Sequence, residues 1–336
     1  MRQTVSHQIK EEIAQQMTAA RADTLRLFDM AREEDLHQSP GFGFRPIIWH
    51  LAHIGVFEGY WLLQKMQGER APDERYERIF DPINTPREES VNLPSRQEME
   101  SYLKRVRVRA TDYLDKVNFD EMNPLLRDGY VFNLVLEHEY QHQETLAYLL
   151  HLLDPALKSR PSPAKEDESD AVFTQAATTP LMVTVEAGAF EMGCVWDTFA
   201  YDNELPAHAL HLPAFKMDRL LTTNEEYAHF ISEGGYTRRE WWSAEGWEWK
   251  EKENWTSPLY WKNEAEAWRV RSMFDEGKWQ PAHPVTGVSW YEAEAYARFS
   301  SKRLPTEAEW EKAASWDASQ NQKRRFAWGD ESPTSA

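Results

Sequence analysis

A single cysteine, Cys194, among 336 residues excludes an internal disulfide and fits a reducing cytoplasm. Long apolar runs are also missing, and none approaches the roughly 18–20 residues that a membrane-crossing helix needs. The N-terminal stretch MRQTVSHQIKEEIAQQ lacks the apolar centre of a secretory signal. Basic charge is in short supply: 38 Lys and Arg against 56 Asp and Glu leave a formal net charge of −18. The general attraction that brings proteins to nucleic acid or anionic lipid is therefore absent. The expectation is a cytoplasmic protein whose partners are small molecules, with no nucleic acid and no membrane.

At 336 residues the chain exceeds what one hydrophobic core usually organises, so two domains are expected. From residue 7 to about 153 the apolar period is helical. Ile9, Ile13, Met17, Ala20, Thr24 and Leu27 form one face of a first helix. A second is expected over about 46–66, with Pro46 in the first turn. A third opens on the capping box Ser95 and Glu98 and continues through Met99, Tyr102, Leu103, Val106, Ala110 and Tyr113. A fourth carries EHEYQHQET, and one long connection spans about 67–94. This reads as a four-helix bundle over 1–154. Residues 155–178, rich in Pro, Ser, Ala and charge, read as a linker.

Beyond the linker the composition changes, and 13 of the 15 tryptophans follow residue 195. Short strand-like pieces such as LMVTVEAGAFEMG alternate with helices opened by the capping boxes Thr223/Glu226, Ser289/Glu292 and Thr306/Glu309. The expectation for 179–336 is an irregular α/β domain, so the fold class is α plus α/β.

His138 and His142 are four residues apart, on one helix face with Leu134, Val135, Thr145 and Leu149, and so point into the bundle. Two buried imidazoles are costly unless each nitrogen finds a partner, and a third ligand would make them a metal site. The stretch WHLAHIGVFEGYWLL offers His50 and His53, between which periodicity does not choose. Glu144 is about 200° round the helix from His142, which favours three histidines over two histidines and a carboxylate.

WHLAHIGVFEGYWLL followed by HEYQHQET resembles the DinB-type bundle of the ergothioneine-pathway sulfoxide synthases (the EgtB type). The resemblance implies His53, His138 and His142 as metal ligands and leaves His50 as a core residue. The second domain resembles the formylglycine-generating-enzyme fold, which is related to C-type lectins. It does so through VEAGAFEMG, YDNELPAH, TTNEEYAHFISEGGY, PVTGVSWYEAEAYARF and RLPTEAEWEKAA. Formylglycine-generating enzymes hold copper with a cysteine pair, so Cys194 alone should not support that reaction. The pairing of domains implies an Fe(II)- and dioxygen-dependent oxidoreductase. Such an enzyme joins a thiol, cysteine or γ-glutamylcysteine, to the imidazole ring of hercynine, the histidine betaine. Similar relatives join a selenosugar to hercynine, and DinB-type thiol transferases form a further alternative.

The resemblance also implies a polar contact from Gln141 to the acceptor, and it places the family's catalytic tyrosine beyond Ala336, so the expectation is either a truncated chain, inactive if so, or a naturally shortened relative. A donor bearing carboxylates calls for an arginine, and Arg87 in NTPREESVNLPS is the candidate. Trp241, Trp242, Trp247, Trp249 and Trp255 read as packing residues, with an aromatic cage for a quaternary ammonium as the alternative. Cys194 reads as an apolar filler.

Overall fold

The computed structural model describes residues 2–41, 43–119, 122–160, 181–195, 199–264 and 267–331. Most of the expected linker, 161–178, lies outside them. The fold is a helical domain followed by a mixed α and β domain with small sheets. By contact the chain divides into two units, Met1–Asp167 with Met273–Asp275, and Glu168–Ser272 with Glu276–Ala336. No helix among the described residues is long and apolar enough to cross a membrane.

In the first unit the four long helices are α1 (Arg2–Phe28), α3 (Trp49–Gly59), α5 (Arg96–Lys116) and α6 (Tyr130–Leu152). Two short helices lie between them, α2 (Glu33–Leu36) and α4 (Glu74–Ile79). Helix α3 starts at Trp49, three residues later than the proline rule implied. The Ile48 N–H is bonded out to Leu36 O at 2.9 Å, and the next N–H groups close i→i+3 turns onto Pro46 and Ile47, so the chain enters through a tight turn. Past Gly59 the helix widens into a π-helical segment, Tyr60–Lys65. The capping box that opens α5 is formed as expected, Ser95 and Glu98 each satisfying the other's backbone N–H.

Two apolar clusters fill the bundle. One gathers Phe28, Trp49, Tyr76, Phe80, Tyr102, Val106 and Leu149, the other Ile13, Met17, Ala20, Leu62, Ala110, Phe132 and Leu136. Along α1, α5 and α6 the chain passes from one cluster to the other across Arg21, Arg107 and the stretch 138–143. Polar groups thus occupy the layer between two apolar ones.

The second unit contains α7 (Asn224–Ser232), α8 (Ala244–Lys252), α9 (Trp290–Phe299) and α10 (Glu307–Ser315). Helices α7, α9 and α10 open on the three capping boxes read from the sequence. All its sheets are small and antiparallel. Strand β1 (Met182–Val185) pairs with β4 (Phe215–Asp218), β2 (Gly188–Met192) with β3 (His208–Leu212), and β8 (Trp316–Asp317) with β9 (Gln322–Lys323). Strand β6 (Ala267–Arg271) lies between β5 (Trp261–Glu264) and β7 (Glu276–Lys278). The core is aromatic: Tyr227, Phe230, Tyr236 and Trp242 are buried, with Trp241, Trp247 and Trp255 packed against them, whereas Trp249 is exposed.

Helix α6 is entered through Gly129, whose φ of +76° is left-handed and whose absent Cβ would lie 2.6 Å from Ile13 Cδ1. Both backbone and packing therefore select glycine. Gly129→Ala should lower stability by about 1–3 kcal/mol in chemical denaturation; an unchanged midpoint would show that α1 and the start of α6 yield freely.

Candidate metal centre

His53 on α3 and His138 and His142 on α6 meet in the bundle. One ligand atom from each lies within 4.8 Å of the other two, and the ring centroids are 4.5 to 5.2 Å apart. Among the described residues this is the group of His, Cys, Asp or Glu side chains placed to hold an ion. Glu144 is exposed and stands apart.

Each ring is fixed by something different. The His53 Nδ1–H donates to Phe80 O at 2.8 Å; a carbonyl only accepts, so this bond leaves the Nε2 lone pair free. Phe80 follows the last turn of α4, where carbonyls lack helical partners, and Trp49 Nε1–H donates to the neighbouring Ile79 O at 3.2 Å. Trp49 also stacks on His53, centroids 4.5 Å apart and planes 16° from parallel. His138 lies flat on Phe57 at 3.6 Å and 5°. His142 Nδ1 is 3.0 Å from His50 Nδ1, so one of these nitrogens carries the shared proton and the other accepts it. If His142 donates, its Nε2 is the free nitrogen.

Two observations test whether this set suits a metal. The Nδ1 of His138 is buried without a hydrogen-bond partner, which costs about 1–3 kcal/mol unless something outside the protein satisfies it. All four rings are also held neutral. Burial, reinforced by the His53 ring and Arg45, pushes His50 down to about 3, and burial pulls His53 down to about 4 against the Phe80 bond. Burial likewise drives His138 and His142 well below the ordinary histidine range. Neutral imidazole is the ligating form, and iron, zinc, copper and nickel all accept it. Two donors on one ion at about 2.1 Å cannot be more than about 4.2 Å apart, so the rings must close by a fraction of an ångström. The residues fit.

Gln141 is exposed on α6, and its neighbour Gln143 turns inward instead, donating to Ala20 O at 2.8 Å and Thr24 Oγ1 at 3.1 Å. Arg87, exposed at the start of a 3₁₀ turn, donates to Gly43 O at 3.1 Å. It helps line a cavity of about 500 Å³ with His37, Ser39, Gly43, Phe44, Glu88 and Asn92. Arg45 stands close by, buried, its guanidinium donating to Thr85 O at 2.6 Å, Ser90 Oγ at 2.5 Å and Pro86 O at 3.3 Å while lying over Trp49 at 4.6 Å. Burial first, then Arg87, draws its pKa below the usual value. The sequence reading did not find the roles of His50, Trp49 and Arg45. The signal available was a second histidine and an arginine flanking a tryptophan inside an apolar stretch.

A bundle with three inward histidines joined to an α/β domain defines a two-domain class, and both halves have recognisable relatives. Residues 16–146 match the DinB superfamily and 168–336 the sulfatase-modifying factor enzyme 1-like domain. The hercynine oxygenase of Mycolicibacterium smegmatis is 34% identical over 97% of this chain and 74% of its own length, and that of Mycobacterium tuberculosis 36% identical over 96% and 74%. The formylglycine-generating enzyme of Streptomyces coelicolor is 30% identical, over 53% of this chain and 56% of its own. The chain belongs to the hercynine oxygenase family.

The depressed histidine pKa values carry a sign. Between the unfolded value of about 6.5 and the folded values, the unfolded chain binds more protons, so stability rises with pH. The contribution is complete above about 6.5 and is lost as pH falls toward 4 and 3. The melting midpoint of EDTA-treated protein should therefore fall between pH 7 and 5, above the range where carboxylates protonate; a flat profile there would mean that the rings are solvated.

Proposed function

We propose that the protein is a non-haem Fe(II) enzyme that uses dioxygen to join the sulfur of a thiol donor to the imidazole ring of hercynine. One thiol, one imidazole C–H and one dioxygen give a sulfoxide and one water, so atoms and electrons balance. The convergence of three neutral imidazoles carries this reading, together with membership of a family whose relatives are named hercynine oxygenases. Domain 1–154 is then the metal-bearing module, 155–178 its linker and 179–336 the second domain, with the reaction taking place in the cytoplasm.

Bound iron would supply dioxygen chemistry and a Lewis-acidic seat for the sulfur. His53, His138 and His142 would hold it through their free ring nitrogens. The bond to Phe80 O keeps the His53 ring from turning, and Phe57 does the same for His138 by stacking. Gln141 is assigned a polar contact to hercynine. Arg87 is assigned to a carboxylate of the donor, because it lines a cavity beside a second guanidinium, that of Arg45, which is already committed to backbone carbonyls. Glu88 on the same wall would repel an anion, so Arg87 has to outweigh it. A selenosugar donor would use the same metal and acceptor seat and is compared in the same assay.

Protein purified without oxygen should bind one Fe(II) per chain and consume dioxygen only when hercynine and thiol are both present. His53→Ala, His138→Ala and His142→Ala should each abolish iron binding. Tightly held zinc, with no iron-dependent oxygen uptake, would instead identify a thiol transferase. Arg87→Met should raise the KM for a carboxylate-bearing thiol by about tenfold or more, the loss of a charged hydrogen bond, with little change in kcat; an equal fall in kcat with KM unchanged would remove Arg87 from donor binding.

A further inference from the structure

The bundle holds a second polar cluster that the proposed chemistry does not use. Arg21, Glu58, Arg107 and Glu139 come one from each long helix, α1, α3, α5 and α6. Glu58 is 0% exposed and Glu139 1%. Arg21 Nε donates to Glu139 Oε1 at 2.7 Å, and its Nη2 to Glu58 Oε2 at 3.0 Å and Glu139 Oε2 at 3.2 Å. Arg107 donates from Nε to Glu58 Oε1 at 2.7 Å, and from Nη2 to Glu58 Oε2 and Glu139 Oε2, both at 3.0 Å. The remaining Arg107 nitrogen donates to Met17 O, and Thr24 Oγ1 to Glu139 Oε1 at 2.9 Å. Two guanidinium forks therefore grip two carboxylates with every carboxylate oxygen engaged.

A neutral buried quartet of this kind adds little stability over well-packed apolar side chains of the same volume, because desolvation offsets attraction. Its bonds are directional, however, whereas the apolar clusters on either side tolerate sliding. Glu58 follows His53 by five residues, and Glu139 falls between His138 and His142. A slip of α3 against α6 by a single residue, about 1.5 Å, would break the forks and separate the three imidazoles. We propose that Arg21, Glu58, Arg107 and Glu139 are positioning residues that lock the register of α3 against α6 and thereby hold His53 opposite His138 and His142. The inference rests on the reading of those histidines as metal ligands.

Co(II), whose visible spectrum reports ligand geometry, separates the two claims. The variant R21M/E58M/R107M/E139M removes all four charges while keeping volume. It should fold with a melting midpoint equal to or above that of the unaltered chain, yet bind Co(II) about tenfold or more weakly with an altered visible spectrum. A role in stability alone would lower the midpoint and leave the spectrum unchanged. If the fourfold variant does not fold, Arg107→Lys, which keeps the charge and loses the fork, should weaken Co(II) binding at least threefold at an unchanged midpoint. Unaltered protein that binds Co(II), together with a folded fourfold variant, or Arg107→Lys in its place, that binds it equally well with the same spectrum, would overturn the register lock alone. Unaltered protein that takes up no Co(II) would overturn the metal reading, and the lock with it.

Discussion

The arrangement of the bundle follows from the cost of enclosing imidazole rings in an apolar interior. A ring nitrogen removed from water must be bonded, and there are four rings here. The short helix α4 ends where its last carbonyls meet α3, so groups that a helix terminus leaves unpaired receive the N–H groups of Trp49 and His53. The late start of α3 belongs to the same arrangement. Because Ile48 is bonded to Leu36, α3 begins at Trp49, the residue whose ring stacks on His53. What remains unsatisfied is the Nδ1 of His138, inside the cluster that a metal would complete.

Two kinds of polar burial are combined in one bundle and stabilised by different means. The imidazoles become tolerable by staying neutral, and low proton affinity is the property that a metal ligand needs at neutral pH. Within the quartet, Glu58 and Arg107 stay charged. Burial alone would raise the Glu58 carboxyl, but Arg107 and Arg21 outweigh it and hold it below the usual range, and Arg107 is correspondingly raised. A lone glutamate in this position would take up a proton or destabilise the helix, so the four groups stand or fall as a unit.

Much of this was legible in the residues. The i,i+4 histidines, the period of α1 and the box-opened starts of α5, α7, α9 and α10 depend on local rules, and local rules survive folding. The rest depends on pairs distant in sequence. His50 and His53 sit on overlapping helical stripes, and a wheel cannot tell which ring meets another helix and which meets a carbonyl 27 residues on. Arg21 and Arg107 look like members of solvated faces because their carboxylates are supplied by other helices. A trace was present, since Glu58 interrupts the apolar run GVFEGYWLL and a charge there demands a partner. The π-helical turn after Gly59 has no local signature that we recognise. Among the tryptophans, composition anticipated packing, and Trp241, Trp242, Trp247 and Trp255 pack in or against the core, whereas exposed Trp249 departs from that pattern.

The loop that carries Arg87 and the ring of His53 have a common support. Arg45 holds the loop through Thr85 O, Pro86 O and Ser90 Oγ, its guanidinium lies on Trp49, and Trp49 lies on His53. A lysine at 45 would keep the charge but lose the planar fork that reaches several acceptors while stacking on an indole. That requirement explains why an arginine is buried here with backbone carbonyls and the Ser90 hydroxyl as its hydrogen-bond acceptors. Arg45 thus ties the loop that lines the cavity to the ring of His53, and backbone carbonyls serve that purpose without adding negative charge beside a cavity proposed to receive a carboxylate.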